Sequence, residues 1–234
     1  MSTPQPLTVV TGASGALGSA LLAHLSAAGH RIAAIERSPG RLAELSREGV
    51  VPILLEQGVE DAWARAAQKI QVELGTPTGA VLAAGGWAGG AKLFEEAGRS
   101  SWRKMLDQNL ESARLALEAL LPLMVSANRG SVVLVGSRAA VRPWESAGSA
   151  AYAASKAAAL ALTQAAAAEV LDAKVRVNMV LPSTIDTPTN RTAMPKADTS
   201  RWVDLDSLCG VIAFLLSDAA RDISGAALPV YGRS

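Results

Sequence analysis

Tyr152-Ala-Ala-Ser-Lys156 places a phenol and an ammonium four residues apart in an alanine-rich stretch. Four residues is about one helical turn, so the two side chains share a face. A tyrosine titrates near ~10 in water, too high to exchange protons readily at neutral pH. A fixed cation within ~4–6 Å favours the phenolate and lowers that value. Bringing the phenol to ~7 requires ~4 kcal/mol of differential interaction, within reach of one buried lysine and one cationic ring. Such a pair offers proton transfer near neutral pH. A packed tyrosine and a surface lysine satisfy the same spacing, so support must come from the elements around it.

Composition narrows the chemistry. The 234 residues are 50% apolar and 18% charged, which suits one α/β domain with both sheet faces covered. The net charge of +1 and the lack of a basic run argue against nucleic acid as a partner. No apolar stretch is long enough to suggest a membrane span, and the start Met1-Ser-Thr-Pro-Gln-Pro lacks a signal-peptide pattern. The single cysteine, Cys209, lies in an apolar helical pattern and reads as a buried small hydrophobe in a reducing, cytoplasmic setting. The two histidines, His24 and His30, both fall at or just after the first helix. With none later and no Cys/His cluster, neither a metal site nor Ser-His-Asp hydrolysis is expected. That leaves the tyrosine.

The elements that must position it follow in order. Residues 7–11 form a β-branched run, read as a buried strand, leading into Gly12-Ala-Ser-Gly15-Ala-Leu-Gly18 and a helical pattern through Leu21, Leu22 and Leu25. A glycine-rich turn between strand and helix lets backbone N–H groups approach a pyrophosphate. A second strand, 31–36, ends in Glu36, 18 residues past Gly18. An acid here binds the ribose hydroxyls of NAD and repels the extra phosphate of NADP; a solvated strand end is the plainer alternative. Arg37 follows and could instead welcome that phosphate or lie on the adenine. With no Lys or Arg in the glycine loop, NAD(H) is favoured over NADP(H). Helix (about 39–48), strand (50–55), helix (about 60–74, with Trp63 in the core) and strand (79–84) continue the alternation.

The fourth strand runs into Ala84-Gly85-Gly86-Trp87-Ala88-Gly89-Gly90, a loop whose backbone can press against a ligand. Trp87 is either a stacking surface for a flat substrate or a plug for the loop. One long helix is expected over about 101–125, with Trp102, Met105, Leu106, Leu110, Leu117, Leu120 and Leu121 on or near its buried stripe. Asn109 among them is either a satisfied core amide or part of a site. A fifth strand (131–135) precedes Ser137, and the loop 138–148 carries Trp144. A sixth strand (174–181) leads into a Pro- and Thr-rich segment of lid length at about 183–203. Asp204 caps a last helix to about Ser217, and 225–230 is the final strand. The order predicts a single doubly wound, Rossmann-like α/β domain over 1–234, with a seven-stranded, mostly parallel sheet and helices on both faces. Ligands of such sheets bind at the carboxyl ends of the strands. The glycine loop, Glu36, the 85–90 loop, Ser137 and Pro182 all follow strand ends, which is why Tyr152 and Lys156 read as functional.

Together these residues resemble the short-chain dehydrogenase/reductase family across essentially the whole chain. The matching pieces are Thr11-Gly12-Ala-Ser-Gly-Ala-Leu-Gly18, Asn109, Ser137, Tyr152-x-x-x-Lys156 and Pro182-Ser-Thr-Ile-Asp-Thr187. Differences exist: Ala16 stands where the family's second loop glycine is usual, with Gly15 one place earlier. Ala83-Ala84-Gly85 replaces the usual Asn-Ala-Gly, Ser137 lies 15 residues before Tyr152, and the acid expected after strand three has no clear match among Glu56, Gln57 and Gly58. Gly85-Gly-Trp-Ala-Gly-Gly90 and the stretch from Asp186 through Met194 to Trp202 further resemble dihydropteridine reductases, which reduce a flat quinonoid pterin.

The resemblance implies a nicotinamide cofactor held by Gly12, Ser14, Gly15, Ala16, Leu17 and Gly18, by Glu36 and Arg37, and by Ala84, Gly85 and Gly86. Tyr152, Lys156, Pro182, Thr184, Ile185 and Thr187 would complete that contact, with Thr187 on the carboxamide. Tyr152 would carry the proton and Lys156 would lower its pKa and hold the ribose. Ser137 would fix the substrate oxygen and Asn109 would support Lys156 through a water-linked path. Trp87, Ser137, Trp144 and Met194 would face the substrate. A small carbonyl, alcohol or dihydropterin-like substrate is expected, with a 3-oxoacyl or simple ketone reductase, or a dinucleotide-sensing protein without turnover, as alternatives. The family usually forms dimers or tetramers through its long central helices. Trp102 and the Ala-rich 157–168 stretch suit that packing, though a monomeric core explains them as well.

Overall fold

Strands in a sheet covered on both faces need apolar residues at nearly every position, and this chain supplies them. In β1 (Leu7–Thr11) all five residues are buried, and in β2 (Arg31–Glu36) all but the first. β3 (Val50–Leu54), β4 (Gly79–Leu82), β5 (Gly130–Val135), β6 (Val175–Pro182) and β7 (Ala227–Val230) complete the set. The computed structural model describes residues 5–55 and 61–233; Glu56, Gln57 and Gly58 lie outside them. The seven strands form one sheet in the order β3-β2-β1-β4-β5-β6-β7, and every pairing is parallel. The expected antiparallel allowance is therefore not used. The chain runs outward from β1 to β3, returns to pair β4 on the other side of β1, and so creates the switch point where such sheets open a crevice.

Alternation divides the core in two. Leu7 and Val9 of β1, Val132 and Leu134 of β5, and Val177, Met179 and Leu181 of β6 point to one face. There they meet α3 (Ala62–Glu73), α5 (Ser112–Ser126) and α6 (Ala150–Glu169), including the buried Trp63. Val10, Val133 and Val180 point to the other face, against α1 (Ala16–Ala27), α2 (Pro39–Leu45) and α8 (Leu205–Leu216). Leu21, Leu22 and Leu25 of α1 are fully buried there, each worth ~2 kcal/mol. Cys209 of α8 is buried in the same cluster, and burial pushes its thiol up to about 11. Asp204 caps α8 as expected, its carboxylate accepting from the Ser207 N–H at 2.8 Å.

The long central helix differs from expectation. Helix α4 (Glu96–Leu106) begins earlier than predicted, and between it and α5 one turn widens to a π-helix, Asp107–Glu111. Single π-turns interrupt helices where a side chain must be re-aimed; here the residue is the buried Asn109. Trp102 shares the side of α4 that carries Gly98 and Met105, as its spacing predicts, but it is not buried with them: it is 43% exposed.

Candidate active site

The turn after β1 is shaped by close backbone approach. Gly12 has φ +66°, and a Cβ there would lie 2.9 Å from the Ala84 nitrogen. A Cβ on Gly18 would sit 2.1 Å from the Gly12 carbonyl oxygen, so α1 docks on the turn only because that position is bare. Gly15 tolerates the departure from the family pattern: it is the extended residue before α1, and its N–H donates to Gly12 O at 3.0 Å. The first i→i−4 bond of α1 runs from Ser19 N to Gly15 O. The N–H groups of Ala16, Leu17 and Gly18 therefore have no acceptor within the helix, and α1 has neither a capping side chain nor an acid in its first turn. A helix end in that state favours an anion.

Glu36 ends β2 buried, not solvated. One carboxylate oxygen accepts from the N–H groups of Arg37 and Ser38 at 2.7 and 2.8 Å. Burial pushes its pKa up, but the Ser14 hydroxyl of the glycine turn, these two backbone donors and the Arg41 charge outweigh that and hold it below the usual carboxylate value. A fixed negative charge thus stands beside the glycine turn.

The π-turn joins this turn to the tyrosine helix. Asn109 Oδ1 accepts from Gly86 N at 2.9 Å, while Nδ2 donates to Gly86 O and to Ser155 Oγ, both at 3.0 Å. Ser155 Oγ in turn donates to Tyr152 O at 2.8 Å. The amide of Asn109 is buried and satisfied by the glycine loop and by Ser155. A Cβ at Gly85 would lie 2.8 Å from Asn109 Oδ1 and 3.4 Å from Lys156 Nζ, which places the loop directly against the ammonium. Ala84 N donates to Thr11 Oγ1 at 3.0 Å, closing the link from the 84–86 loop back to β1.

Lys156 is buried and its Nζ donates to Val135 O at 2.9 Å. Burial lowers its pKa to about 8. Tyr152, one turn earlier, behaves opposite to expectation: burial pushes its phenol above the ordinary value, and the Ser137 hydroxyl beside it pulls back only in part. The reason is physical. Taking a phenolate out of water costs more than one serine donor returns, and the Lys156 ammonium faces the Val135 carbonyl. Ser137 itself is held at the end of β5, its Oγ accepting from Ala139 N at 3.2 Å.

The covering segment leaves β6 at Pro182 and is tied at its base, where Asp186 N donates to Val203 O and Val203 N to Thr184 O, both at 2.8 Å. A bridge pairs Ile185 with Val203. Thr187 Oγ1 accepts from Asn190 N at 3.2 Å to cap α7 (Pro188–Ala193), which leaves its own proton free to be donated. Arg191 grips Asp186 through two hydrogen bonds of 2.6 and 2.7 Å. A groove of about 480 Å³ runs along Pro188, Thr189, Thr192 and Ala193, and none of Ser137, Tyr152 or Lys156 lines it.

Trp87 is 66% exposed. A Cβ on Gly89 would meet its ring at 2.5 Å and Ser149 Cβ at 3.0 Å, so the indole lies over Gly89 close to the start of the tyrosine helix. Trp144 is 73% exposed and Met194 38%. Sequence reading missed Ser155, Gln108 and the Val135 carbonyl. Ser155 was visible inside the Tyr152–Lys156 spacing. Gln108, whose amide would meet a Cβ on Gly86 at 2.1 Å, carried no signal of its own.

An all-parallel Rossmann-like sheet with a glycine turn, a buried lysine and a serine-paired tyrosine at its carboxyl edge defines a class, and comparison with known proteins narrows it. The short chain dehydrogenase family model matches residues 6–198, and the chain belongs to that family. It is 30% identical over 245 residues to the 2,5-dichloro-2,5-cyclohexadiene-1,4-diol dehydrogenase of Sphingobium indicum, covering 97% of this chain and 94% of the relative. It is also 30% identical over 247 residues to the 3-oxoacyl-acyl-carrier-protein reductase of Pseudomonas aeruginosa, covering 99% and 98%. A crystal structure of a short chain dehydrogenase/reductase family oxidoreductase from Burkholderia thailandensis superimposes with a TM-score of 0.84 at 32% identity, covering 98% of this chain and 92% of that one. Among the described residues, no helix is long and apolar enough to cross a membrane.

Proposed function

We propose that this oxidoreductase moves a hydride and a proton between a nicotinamide dinucleotide and a small carbonyl or alcohol substrate, with Ser137, Tyr152 and Lys156 as its catalytic residues. The observation that carries the proposal is the buried Lys156 ammonium, set against Gly85 of the glycine loop, one turn from a tyrosine paired with Ser137. The residues present fit a dinucleotide: the N–H groups of Ala16, Leu17 and Gly18 at the N-terminus of α1 have no acceptor within the helix, and bare glycines at 12 and 18 let that end dock tightly on the turn after β1. When bound, that cofactor supplies or accepts the hydride. Tyr152 Oη gives its proton to the carbonyl oxygen in reduction and takes one from the alcohol in oxidation. Burial raises that phenol's pKa and makes it a poorer acid, so proton transfer at neutral pH needs the nearby Lys156 ammonium and a bound cationic ring to offset the burial. Ser137 donates to the same substrate oxygen, the second donor that a ketone needs. Lys156 holds the nicotinamide ribose. Thr187 offers its free proton to the carboxamide, and Asn109 keeps the 84–86 loop and the Tyr152 turn in register.

Glu36 supports NAD(H) over NADP(H), because its fixed charge opposes an added phosphate beside the ribose. The exposed Trp87 and Trp144, with Met194, support a flat or apolar substrate. The names of the relatives support an alcohol or ketone. The loop sequence 85–90 favours a second reading, a quinonoid dihydropterin. The covering segment 183–203 acts as a lid, and the exposed Trp102 of α4 supports self-association as a homodimer or homotetramer. The free, buried Cys209 supports a reducing, cytoplasmic setting.

The test is a panel of cyclic ketones, a 3-oxoacyl thioester and quinonoid dihydropterin, each with NADH and with NADPH. Ketone or thioester reduction with NADH preferred is the expected result; turnover of the pterin alone selects the second reading. In the Tyr152→Phe variant the rate falls by about 10²–10⁴ while NADH affinity is retained. Unchanged turnover in that variant refutes the assignment. Tight NADH binding with no turnover across the panel replaces the enzyme with a sensor.

A further inference from the structure

The loop 137–148 carries Ser137 and Trp144, yet contains only two short 3₁₀ turns, Arg138–Ala140 and Pro143–Glu145. Over 137–145 its backbone bonds are local, from Ala140 N to Ser137 O, Arg142 N to Arg138 O and Glu145 N to Arg142 O, and the long-range bond comes only at its far end, from Ala91 N to Gly148 O at 3.2 Å. The local bonds give 137–145 a shape without fixing where it sits. Its placement comes from side chains. Arg138, the residue after Ser137, pairs with Glu145 at 3.2 Å, and Arg142 reaches the other oxygen of the same carboxylate at 3.3 Å. Both guanidiniums lie over one ring, that of Tyr231, at 5.8 and 5.2 Å from its centroid. Tyr231 is half-buried and packs against the core, as does Ala140 of the loop.

Tyr231 follows β7, and its neighbours hold the other side of the site. Ser183, the first residue of the covering segment, donates through Oγ to Tyr231 O at 2.7 Å. At the far end of that segment, Arg233 N donates to Arg201 O at 3.0 Å, and the Arg201 guanidinium returns two bonds to Arg233 O at 3.1 and 2.9 Å. Gly232 permits this crossing: its φ is +63°, and a Cβ would lie 2.7 Å from Arg201 O. Three consecutive residues thus touch the serine loop on one side and both ends of the covering segment on the other.

We infer that residues 231–233 form a clamp that sets the Ser137 loop against the covering segment, with Tyr231, Arg138, Arg142 and Glu145 as positioning residues for the reaction. The inference rests on the proposed function in one respect, that Ser137 is the group being placed. The clamp acts through a pair of guanidiniums on an aromatic face, which the Tyr231 ring supplies. Loss of the ring frees the loop while the backbone contacts to Ser183 and Arg201 persist. Substrate chemistry then suffers and dinucleotide binding does not.

The experiment compares the full chain with Tyr231→Leu, Tyr231→Phe and Glu145→Gln by hydrogen exchange and by steady-state kinetics on the panel ketone turned over fastest. Tyr231→Leu and Glu145→Gln are expected to raise amide exchange in 138–148 by about tenfold, with α6 unchanged. Both lower kcat by about tenfold or more through misplaced Ser137, with NADH affinity unchanged. Tyr231→Phe restores both exchange and kcat. Unchanged exchange in Tyr231→Leu overturns the clamp, as does loss in Tyr231→Phe equal to that in Tyr231→Leu. Faster exchange with unchanged kcat overturns the positioning role. If Tyr231→Leu does not fold, Glu145→Gln decides by the same two readings. If the parent chain reduces nothing in the panel, the proposed function fails and the exchange measurement alone judges the clamp.

Discussion

Burial governs how the two central groups titrate. Among the described residues Lys156 has no carboxylate partner to offset its desolvation; its ammonium donates a hydrogen bond to the Val135 carbonyl, and its pKa falls to about 8. In the unfolded chain a lysine titrates near ~10.4. Below about pH 8 both states are protonated, and the folded one carries the full penalty of a buried charge. Between about 8 and 10 the unfolded chain binds more protons, so stability rises with pH across that window. Lys156→Met removes the buried charge at similar volume. The variant, free of dinucleotide, is expected to be more stable than the parent at pH 7 by about 2 kcal/mol, once the lost Val135 bond is subtracted. Urea titrations of both proteins at several values from pH 7 to 10 check this. The difference should shrink as pH rises, and a constant difference contradicts the account.

Elements position these groups through contacts that tolerate little extra volume. Helix α1 owes its depth to Gly18, where a Cβ would meet the Gly12 carbonyl oxygen at 2.1 Å and Ala13 Cα at 2.7 Å. Both are backbone atoms, so no side chain can move aside. Gly18→Ala is therefore expected to lift the first turn of α1 off the glycine turn. Stability falls by about 1–3 kcal/mol, and NADH affinity drops about tenfold or more because the N–H groups of Ala16 and Leu17 leave their places. Urea denaturation and titration of NADH fluorescence measure the two effects separately. The π-turn works the same way at the other end of the site. The sequence predicts ordinary helix there because one widened turn leaves too short a mark on the apolar period; the hydrogen bonds of Asn109 to Gly86 and Ser155 show what the widened turn positions.

At the scale of the molecule, one parallel sheet gathers loops from distant parts of the chain. The 84–86 loop meets the turn after β1 through Ala84 and Thr11, and meets α6 through Asn109 and Lys156. A ligand that touches all three ties the two halves of the sheet together and is bound only by the folded state. NADH at a hundred times its dissociation constant is expected to stabilise the chain by about 2.7 kcal/mol, or about 5–10 °C in melting temperature for a protein of this size. NADPH at the same concentration should raise it less if Glu36 opposes the extra phosphate. Thermal unfolding monitored with each dinucleotide checks both statements, and equal shifts remove Glu36 as the source of preference.

The sequence alone determined the alternation of strands and helices, the glycine turn, the burial of Trp63 and Cys209, and the spacing of Tyr152 and Lys156. Each is a local pattern whose physics is complete within a few residues: period two, period near four, or the absence of a side chain where backbone must approach. Tertiary structure alone decided that Trp102 is left 43% exposed, that the pKa of Tyr152 is raised and that of Lys156 lowered, that Asn109 bonds Gly86, and that Tyr231 lies beneath two arginines of the serine loop. Those outcomes depend on what residues far along the chain bring within a few ångströms, and on how much water they displace.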